Sequence, residues 1–585
     1  MKLKLNNIKN IKYKIKKSAE AIHYEYLDAA PWYKLYEDLN IPRSINYPEK
    51  TLYEIVEETA THYPSYYAYE YFGKQCTYAE FIEKIKRCAK SFQKIGVKEN
   101  DRVTICMPNT PEGIISVYAL NLIGAVANMV HPLSSASELE FCLTQAKSKY
   151  LLTMDFVYEK VLEVEKNIKL NKVIISKAND SMNTVTSFAY WVTSGRKIKL
   201  SNMKDNVVMW KDFIYEGKSI LEINCSTKNH KDLAVILYSG GTTGTSKGIM
   251  LSSLNFNAIA HQNIAVCPTV KPGQSMLSIM PIFHGFGLGI CFHTIFTGGM
   301  KAIIIPKFSA KTFGKLIRTY KPNFIAGVPT LYEALLSTKF REDELSCVTT
   351  VLSGGDILTP ELQKKVNKFM KEHGSDAEIR VGWGMTECVA STIMTPVNNF
   401  VPGSIGIPGP DNFVKIVKPG TTENVYYDTD GEICLSSPAV MLGYLENEEE
   451  TKLNLKTHED GKLWLHTGDM GMMDKNGMVF FKSRIKRIII SSGYNIYPNH
   501  VESIINSHPK VLTSIVVGSP HQYKGEVAKA FIVLKPEYKL TDEIDKDIQE
   551  YVKKNLAKYA WPVAYEYRET LPVTKVGKVD YRNIK

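Results

Sequence analysis

Apolar and polar residues alternate in blocks along the first part of the chain, and these blocks predict helices and strands in turn. Capping boxes at Thr51–Glu54, Thr77–Glu80 and Ser135–Glu138 each precede an apolar helical pattern, which predicts a helix start. Apolar runs at 103–107 and 150–154 predict strands. The alternation indicates α/β layers whose strands pair largely in parallel.

Two long uncharged stretches need an interpretation, because each approaches the length of a membrane span. Residues 113–130 include two asparagines and an internal glycine, and residues 275–300 include a proline, two histidines and five glycines. We therefore predict two buried helix-plus-strand segments. Residues 169–231 are polar and poorly periodic, and we expect them to form a surface excursion.

The C-terminal part of the chain predicts a second, smaller α/β unit. Helices are predicted at 501–506 and 542–556, and strands at 514–518 and 528–534. A chain of 585 residues is too long for one ordinary core, so at least two domains are expected.

Composition narrows the function classes. The chain is 44% hydrophobic and 23% charged, as is usual for a soluble globular protein. The net charge of +11 suits anionic substrates, but no compact cluster of arginines and aromatics indicates nucleic-acid binding. Ten cysteines are scattered singly without zinc spacing, which favours a reducing cytoplasm.

The N-terminus is strongly basic, with seven lysines and no acidic residue in positions 1–17. Its apolar residues have roughly helical spacing, which is compatible with a weak peripheral contact to an anionic membrane. A frayed basic terminus is the alternative. No secretory signal is recognisable.

The stretch YSGGTTGTSKG, from Tyr238 to Gly248, carries the clearest chemistry. Apolar runs at 233–237 and 249–251 flank it, which predicts strand, loop and strand. Its four glycines let backbone N–H groups turn toward one anion, and Lys247 adds a positive charge. This pattern predicts a polyphosphate site, with a flexible hairpin as the alternative. It is not a Walker A loop, in which Gly-Lys-Ser/Thr opens a helix.

This loop resembles the signature of the adenylate-forming superfamily, Tyr-Thr-Ser-Gly-Thr-Thr-Gly-x-Pro-Lys-Gly. The superfamily contains AMP-forming acyl-CoA synthetases, 4-coumarate–CoA ligases, luciferases and peptide-synthetase adenylation domains. Ser239, Gly240 and Ser246 depart from the signature residues Thr, Ser and Pro. The resemblance assigns ATP contacts in this loop to Ser239, Gly240, Gly241, Thr242, Thr243, Gly244 and Lys247.

Further motifs follow in the family's order. The stretch GWGMTE resembles the family's Tyr-Gly-x-Thr-Glu motif. The resemblance implies that Gly382, Trp383 and Gly384 border the nucleotide, with the Trp383 ring stacked on adenine. It also implies that Thr386 donates to the α-phosphate and that Glu387 binds Mg²⁺.

Two shorter stretches are assigned by the same resemblance. Gly355 and Asp356, in SGGD, correspond to a turn along the adenine, with a purely structural turn as the alternative. His284, Gly384 and Met385 are assigned to the acyl pocket. Acetate-activating relatives carry tryptophan at the position of Gly384, so the glycine predicts an open pocket. His284 stands near the place of an aspartate that holds amino-acid substrates, which disfavours an amino acid.

The C-terminal motifs complete the resemblance. Asp469, in WLHTGD, corresponds to the carboxylate that accepts both ribose hydroxyls. Arg484 would reach nucleotide phosphate or ribose. Lys486 falls at the interdomain hinge, and Gly493 at the coenzyme A side. Lys578, in the terminal PVTKVGK stretch, corresponds to the lysine that stabilises the first transition state.

The resemblance implies a large N-terminal adenylation domain of layered sheets and helices, followed by a small mobile C-terminal α/β domain. We place the boundaries at 1–44 for a basic extension, 45–484 for the adenylation domain and 485–585 for the C-terminal domain. The nucleotide site is expected in the cleft between the two domains.

The implied reaction uses ATP, Mg²⁺ and coenzyme A. A carboxylic acid is converted to acyl-AMP with release of pyrophosphate, and the acyl group then passes to coenzyme A. Catalytic roles fall to Thr386, Glu387, Arg484 and Lys578. Medium- or long-chain fatty acids and aryl acids are the candidate substrates. The alternatives are a ligase that loads the thiol of a carrier protein and a binding protein without activity.

Overall fold

A computed structural model of the chain describes residues 30–193, 200, 203–240, 246–397, 399, 401–492, 494–572, 580–581 and 583–584. Its helices are α1 (Tyr33–Asp38), α2 (Leu52–His62), α3 (Tyr78–Lys94), α4 (Pro111–Leu122), α5 (Ala136–Gln145), α6 (Tyr158–Val164), α7 (Thr184–Thr193), α8 (Trp210–Glu216), α9 (Ser253–Val266), α10 (Ile295–Thr297), α11 (Phe313–Tyr320), α12 (Pro329–Leu336), α13 (Pro360–Glu372), α14 (Glu448–Asn454), α15 (Pro498–Asn506) and α16 (Asp542–Asn555).

The strands are β1 (Tyr67–Tyr71), β2 (Lys74–Thr77), β3 (Arg102–Cys106), β4 (Val126–Met129), β5 (Tyr150–Met154), β6 (Lys172–Ser176), β7 (Val207–Met209), β8 (Leu233–Gly240), β9 (Ser246–Ser252), β10 (Ser275–Ser278), β11 (Lys301–Ile304), β12 (Phe324–Gly327), β13 (Thr350–Gly354), β14 (Ile379–Gly384), β15 (Ser391–Met394), β16 (Ile407–Pro408), β17 (Phe413–Val417), β18 (Gly431–Ser436), β19 (Gly443–Tyr444), β20 (Leu455–Thr457), β21 (Leu463–Met473), β22 (Val479–Arg484), β23 (Ile489–Ser491), β24 (Tyr494–Ile496), β25 (Val511–His521), β26 (Gly525–Leu534) and β27 (Ala564–Tyr567).

Two large sheets form the main body. One has nine strands in the order β16-β15-β14-β13-β12-β10-β11-β1-β2, and the other has eight in the order β19-β9-β8-β4-β3-β5-β6-β7. The pairs from β8 through β7 in the second sheet and from β14 through β1 in the first are parallel. The α/β prediction with largely parallel pairing is therefore confirmed.

The three predicted capping boxes are all formed. The side chains of Thr51, Thr77 and Ser135 each accept from the backbone three residues on, and the Glu at that position bonds back. Each box satisfies two amide donors that a helix start leaves unpaired.

The uncharged stretches are buried inside the main body, as predicted. Helix α4 is buried at every position, because it packs within the large apolar core to which both sheets contribute. The second stretch contains β10 and a π-helix from Phe286 to Thr294. Within the described ranges, no helix is both long enough and apolar enough to cross a membrane.

The expected surface excursion at 169–231 is wrong in part. Strands β6 and β7 lie in this stretch and extend the eight-stranded sheet at its edge. Val173, Ile174 and Ile175 are fully buried. The buried apolar run is short and is surrounded by polar residues, so the sequence shows no clear periodicity there. For this reason the strands were not predicted.

A third sheet connects the main body to the C-terminal unit. It has the order β17-β18-β21-β20, with β22 paired to β21. Strand β22 ends at Arg484, a 3₁₀ turn covers Ile485–Arg487, and β23 begins the C-terminal sheet at Ile489. That sheet has the order β24-β23-β26-β25, with β27 beside β26, and its own apolar core. The predicted C-terminal helices and strands are confirmed.

Candidate active site

Strands β8 and β9 form the antiparallel hairpin that carries the glycine-rich loop. Ser239 lies opposite Lys247, and Gly240 lies opposite Ser246. The two predicted strands that flank the loop are therefore confirmed. The loop residues Gly241, Thr242, Thr243 and Gly244 lie outside the described residues, as do Gly493, Lys578 and positions 1–29.

Lys247 has two partners that the sequence did not suggest. Its ammonium forms an ion pair with the carboxylate of Glu450 and lies 5.3 Å from the ring centroid of Tyr444. Strand β19 brings these partners to the loop because it pairs antiparallel with β9, with Tyr444 opposite Ile249. The lysine is thus held at the exit of the loop by residues about two hundred positions away.

Glu387 lies in a 3₁₀ turn that follows β14, and both Glu387 and Thr386 are buried. Tyr444 donates its hydroxyl to Oε1 of Glu387 at 3.0 Å. The other carboxylate oxygen has no hydrogen bond within the described part of the chain. Burial, with the Glu387 charge beside it, raises the pKa of Tyr444. A fixed carboxylate with one uncommitted oxygen fits a hard cation such as Mg²⁺.

The turn that carries Glu387 is conformationally unusual. Val389, immediately after the turn, has φ of 64° and ψ of −62°, a region that β-branched residues rarely occupy. The N–H of Met441 donates to the carbonyl of Glu387 at 2.8 Å and helps to hold the turn. Such strain persists only where the surrounding structure enforces it, and it is concentrated at functional sites.

Asp469 joins the nine-stranded sheet to the third sheet. The indole N–H of Trp383, on β14, donates to Oδ2 of Asp469 at 3.1 Å. Arg484 lies opposite Asp469 in the pairing of β21 with β22, and its Nε is 2.9 Å from Oδ1. The structure therefore brings the three side chains together, and their role in binding the nucleotide stays a prediction.

The other carboxylate oxygen of Asp469, Oδ1, is buried and accepts no hydrogen bond from the described residues. Although Arg484 lies close, its N–H does not have the angle of a hydrogen bond, and no described residue donates to Oδ1. Burial raises the pKa of Asp469 to about 6, while Arg484 and the Trp383 hydrogen bond act in the opposite direction. A buried acceptor without a donor is costly, and a ligand hydroxyl would satisfy it.

The structure corrects the interpretation of Gly384. A Cβ built on this residue would lie 1.7 Å from the carbonyl oxygen of Ala390, so main chain fills the space where a side chain would be. The glycine is required by the close approach of β14 to residues 390–391. It does not by itself open an acid pocket, and tryptophan at this position could not simply fill one.

Of the other predicted acyl-pocket residues, Met385 directly follows Gly384, and His284 directly precedes Gly285, which packs on Val389. His284 is partly exposed, and its Nδ1 accepts from the N–H of Phe286 at 3.3 Å. Gly285, just before the π-helix, and Gly289, within it, pack closely on Val389. Met385 is partly buried, and its N–H bonds to the sulfur of Cys388 at 3.4 Å. π-Helical segments are frequent at functional sites.

The SGGD stretch forms a turn after β13. Gly355 has φ of 79°, a conformation that favours glycine, and Asp356 is exposed. The carboxylate of Asp356 accepts from the N–H of Ile357 at 2.9 Å. Gly354 lies opposite Gly382 in the pairing of β13 with β14. The structural role of this turn is thus observed, and its contact with adenine stays a prediction.

Lys486 is exposed in the 3₁₀ turn between β22 and β23. Sequence reasoning therefore identified the junction between the third sheet and the C-terminal sheet. It missed Tyr444 and Glu450, because no local pattern relates them to Glu387 and Lys247. Only the pairing of β19 with β9 brings these four side chains together.

Comparisons with known proteins place this geometry in a family. Residues 56–445 match the family described as AMP-binding enzyme, and residues 500–578 match the AMP-binding enzyme C-terminal domain. A long-chain-fatty-acid–CoA ligase of Bacillus subtilis is 33% identical over 565 residues, which cover 95% of this chain and 97% of the relative. A long-chain-fatty-acid–CoA ligase of Escherichia coli O6:H1 is 28% identical and covers 93% and 96%.

Solved structures agree with the fold. ATP-bound MatB from Rhodopseudomonas palustris is 23% identical, with a TM-score of 0.77 and coverage of 91% of this chain and 97% of that chain. It shares the large N-terminal and small C-terminal domains. With family matches across most of the sequence, this chain belongs to the AMP-binding enzyme family of adenylate-forming ligases.

Proposed function

We propose that this chain ligates a long-chain fatty acid to coenzyme A. The class of reaction, AMP-forming acid–thiol ligation, follows from its family and its relatives. The observation that carries the nucleotide site is the buried, undonated Oδ1 of Asp469 beside Trp383 and Arg484. The choice of acid is supported by the long-chain relative from Bacillus subtilis, which matches nearly the whole chain.

Asp469 would receive the ribose of ATP. Its Oδ1 can accept a ribose hydroxyl, and its Oδ2 is fixed by the indole of Trp383. Arg484 is partly exposed beside it and can reach a phosphate or the ribose. Because Trp383 is held by its N–H, its ring plane is fixed and can pack against a flat base.

In the first step, a carboxylate oxygen of the acid attacks the α-phosphorus of ATP. An oxygen–phosphorus bond forms, the bond to pyrophosphate breaks, and acyl-AMP results. No protein nucleophile is required, so positioning and charge neutralisation account for catalysis. Lys247, Thr386 and Arg484 supply positive charge and hydrogen-bond donors around the phosphates. Lys578 would act on the transition state.

Mg²⁺ would be held by Glu387, whose carboxylate is fixed by Tyr444 and keeps one oxygen uncommitted. When bound, the ion neutralises phosphate charge. The oxygen ligand and its burial fit this cation.

In the second step, the thiol of coenzyme A attacks the acyl carbonyl. A thioester bond forms, AMP leaves, and the thiol proton is lost to solvent or a base. We place the hinge for the intervening domain rotation at Lys486, with 45–484 and 485–585 as the two domains. Gly493 would then face the pantetheine arm. The 3₁₀ turn between β22 and β23 supports this position, because such short connections absorb changes of backbone torsion.

The substrate is tested with purified protein, ATP, Mg²⁺, coenzyme A and a series of acids from acetate to stearate, together with 4-coumarate. AMP release is the readout. We expect kcat/KM for acids of about sixteen carbons to exceed that for acetate and 4-coumarate at least tenfold. A higher value for 4-coumarate would assign the chain to aryl acids, as in the Dictyostelium discoideum relative named probable 4-coumarate–CoA ligase 1.

The nucleotide site is tested with Asp469→Ala, and Asp376→Ala at an exposed carboxylate is the control. Loss of a buried, charge-assisted acceptor should cost about 2–4 kcal/mol in kcat/KM for ATP. An unchanged ATP dependence would contradict the assignment of Asp469.

Binding of the basic positions 1–17 to anionic vesicles is tested separately, by cosedimentation of the full chain and of a form lacking them.

A further inference from the structure

A second cluster of ligand-type side chains lies on the third sheet. Cys434 on β18 is directly opposite His466 on β21 in the strand pairing. His458 follows the end of β20, and its ring packs against Trp464 with centroids 5.7 Å apart. The Nε2 atoms of the two histidines are 2.9 Å apart. One ligand atom from each of the three side chains lies within 4.8 Å of the others, and all three residues are buried.

The orientation of the His466 ring is fixed by the carboxylate of Glu432. Its Nδ1 is 2.9 Å from Oε2 of Glu432, and the N–H of Gly468 donates to Oε1 of the same carboxylate at 3.0 Å. Because the Glu432 carboxylate can only accept, Nδ1 of His466 carries the proton and donates it. The lone pair of the ring is therefore at Nε2, which faces the cluster. The same arrangement orients most histidines that bind metals in proteins.

Hydrogen bonding within the cluster is incomplete. Between the two Nε2 atoms only one nitrogen can donate a proton. The Nδ1 of His458 is buried and has no hydrogen-bond partner among the residues that the structure describes. His458 is only 5% exposed, so water does not readily compensate. With His466 accepting at Nε2, the lone pair at Nδ1 of His458 is left without a proton donor among the described residues.

The surrounding charges tolerate a divalent cation. Lys415 lies opposite Cys434 in the strand pairing, but its ammonium is neutralised by Asp460 at 3.2 Å. The Glu432 carboxylate and a Cys434 thiolate supply two negative charges, which balance those of a divalent ion. The thiol proton would be released on binding, as is usual for cysteine ligands.

We propose that Cys434, His458 and His466 bind one divalent transition-metal ion. Zn²⁺ is favoured because two imidazoles and a thiolate are its preferred ligands, whereas Mg²⁺ and Ca²⁺ prefer oxygen. The ion would fasten β18 to β21 and to the segment after β20. It would lie three residues from Asp469 along β21, and so stabilise the strand that carries this residue. Its role is structural, and it takes no part in the ligation steps.

The test measures metal bound to the full-length chain purified without a histidine tag. After treatment with a chelator and addition of Zn²⁺, elemental analysis should find about one zinc per chain, retained in a hundredfold excess of Mg²⁺. Replacement by Co²⁺ should give sulfur-to-cobalt charge-transfer absorption, because the thiolate is a direct ligand. Zinc addition should also raise the melting temperature of the metal-free protein.

Matched variants locate the site. Cys434→Ser should abolish the sulfur-to-cobalt absorption, and His458→Gln should lower zinc affinity at least tenfold. Cys225→Ser, at an exposed cysteine, should leave both unchanged. Equal zinc binding by all four proteins would overturn the proposal. If the two cluster variants do not fold, the wild-type chain still decides, because absence of the sulfur-to-cobalt absorption after Co²⁺ addition contradicts a Cys434 ligand.

Discussion

Lys247, at the exit of the glycine-rich loop, is ion-paired with Glu450, which lies 203 positions further along the chain. Both side chains are largely shielded, with exposures of 16% and 27%. The hydrogen bond from Lys247 holds the pKa of Glu450 below its usual range, so this carboxylate is ionised near neutral pH. In the proposed ATP site, the polyphosphate of ATP would therefore compete with the Glu450 carboxylate for the Lys247 ammonium.

This competition predicts that Glu450→Gln tightens ATP binding. The amide keeps the shape of the side chain but removes the competing charge. An ion pair of this exposure contributes about 1 kcal/mol, so we expect ATP KM to fall about fivefold with kcat little changed. Initial rates at varied ATP provide the measurement. Glu449→Gln, at an exposed neighbour, is the control. A raised KM would instead mean that Glu450 positions Lys247 for the phosphate.

Local patterns predicted much of the fold, whereas contacts between distant strands were beyond them. Thr51, Thr77 and Ser135 were identified as helix starts because a capping box is complete within four residues. The pairs Lys247–Glu450 and Tyr444–Glu387 depend on the placement of β19 beside β9, which no local periodicity encodes. Family resemblance supplied Asp469 and Arg484, but the donor from Trp383 became visible only in three dimensions.

Gly384 provides a second prediction, because close main-chain packing gives this glycine a reason other than an open acid pocket. Since a Cβ at this position would meet the carbonyl oxygen of Ala390 at 1.7 Å, Gly384→Ala must displace main chain between β14 and β15. We expect a loss of more than about 2 kcal/mol in the free energy of unfolding. Gly409→Ala is the control, because its Cβ would meet the end of the Asn412 side chain at 3.2 Å and the carbonyl oxygen of Thr392 only at 3.7 Å, an ordinary contact distance.

Thermal melting of the two glycine variants decides between the interpretations. If Gly384→Ala melts like the wild-type chain and shifts preference toward shorter acids, the open-pocket interpretation is restored. A lower melting temperature with an unchanged order of acid preference supports a packing role. The contrast also explains why glycine in a motif is hard to interpret from sequence alone, since an absent side chain can leave space or be excluded by main chain.

A third prediction concerns pH and Glu112, in the first turn of α4. Burial raises the pKa of Glu112 to about 7, with the Ser181 hydroxyl acting against this. The folded protein therefore binds this proton more tightly than the unfolded chain does. The stabilisation that comes from protonating Glu112 is present below about pH 4.5 and is lost as pH rises through 7.

Glu112→Gln should accordingly raise the unfolding free energy at pH 8, by up to about 3 kcal/mol, and have little benefit at pH 4.5. Melting temperatures at the two pH values provide the measurement. Glu80→Gln is a control of opposite sign, because the backbone N–H of Thr77 lowers the pKa of Glu80. That variant should be destabilised most at pH 8. An equal change in melting temperature at both pH values would contradict the idea that Glu112 ionises inside the folded protein at a raised pKa.

The proposed hinge gives a fourth prediction. Lys486 is the second residue of the 3₁₀ turn that connects β22 to β23. Lys486→Pro fixes φ at about −65° in this connection and should therefore prevent that torsion from changing. We expect one half-reaction, thioester formation from acyl-AMP, to fall at least tenfold. Adenylation, followed by pyrophosphate exchange, should be altered less than twofold. Equal losses in both would place the hinge elsewhere.

A fifth prediction is that replacing Lys578 impairs adenylation but not thioester formation. Although it lies outside the described residues, family resemblance assigns it to the α-phosphorus transition state. Negative charge develops there on oxygens that an ammonium can stabilise, whereas bound ATP and acid gain less from it. Lys578→Ala should lower kcat for adenylation on the order of a hundredfold and change KM little.

Synthetic acyl-AMP bypasses that step, because its mixed anhydride is already activated. Lys578→Ala supplied with acyl-AMP and coenzyme A should therefore form thioester at close to the wild-type rate. Lys575→Ala, three positions earlier in the same basic stretch, controls for loss of positive charge and should retain adenylation. If Lys578→Ala forms acyl-AMP from acid and ATP at the wild-type rate, this lysine is an ordinary surface residue. If both half-reactions fall together, it contributes to nucleotide binding in both domain arrangements, and the charge argument for the first step fails.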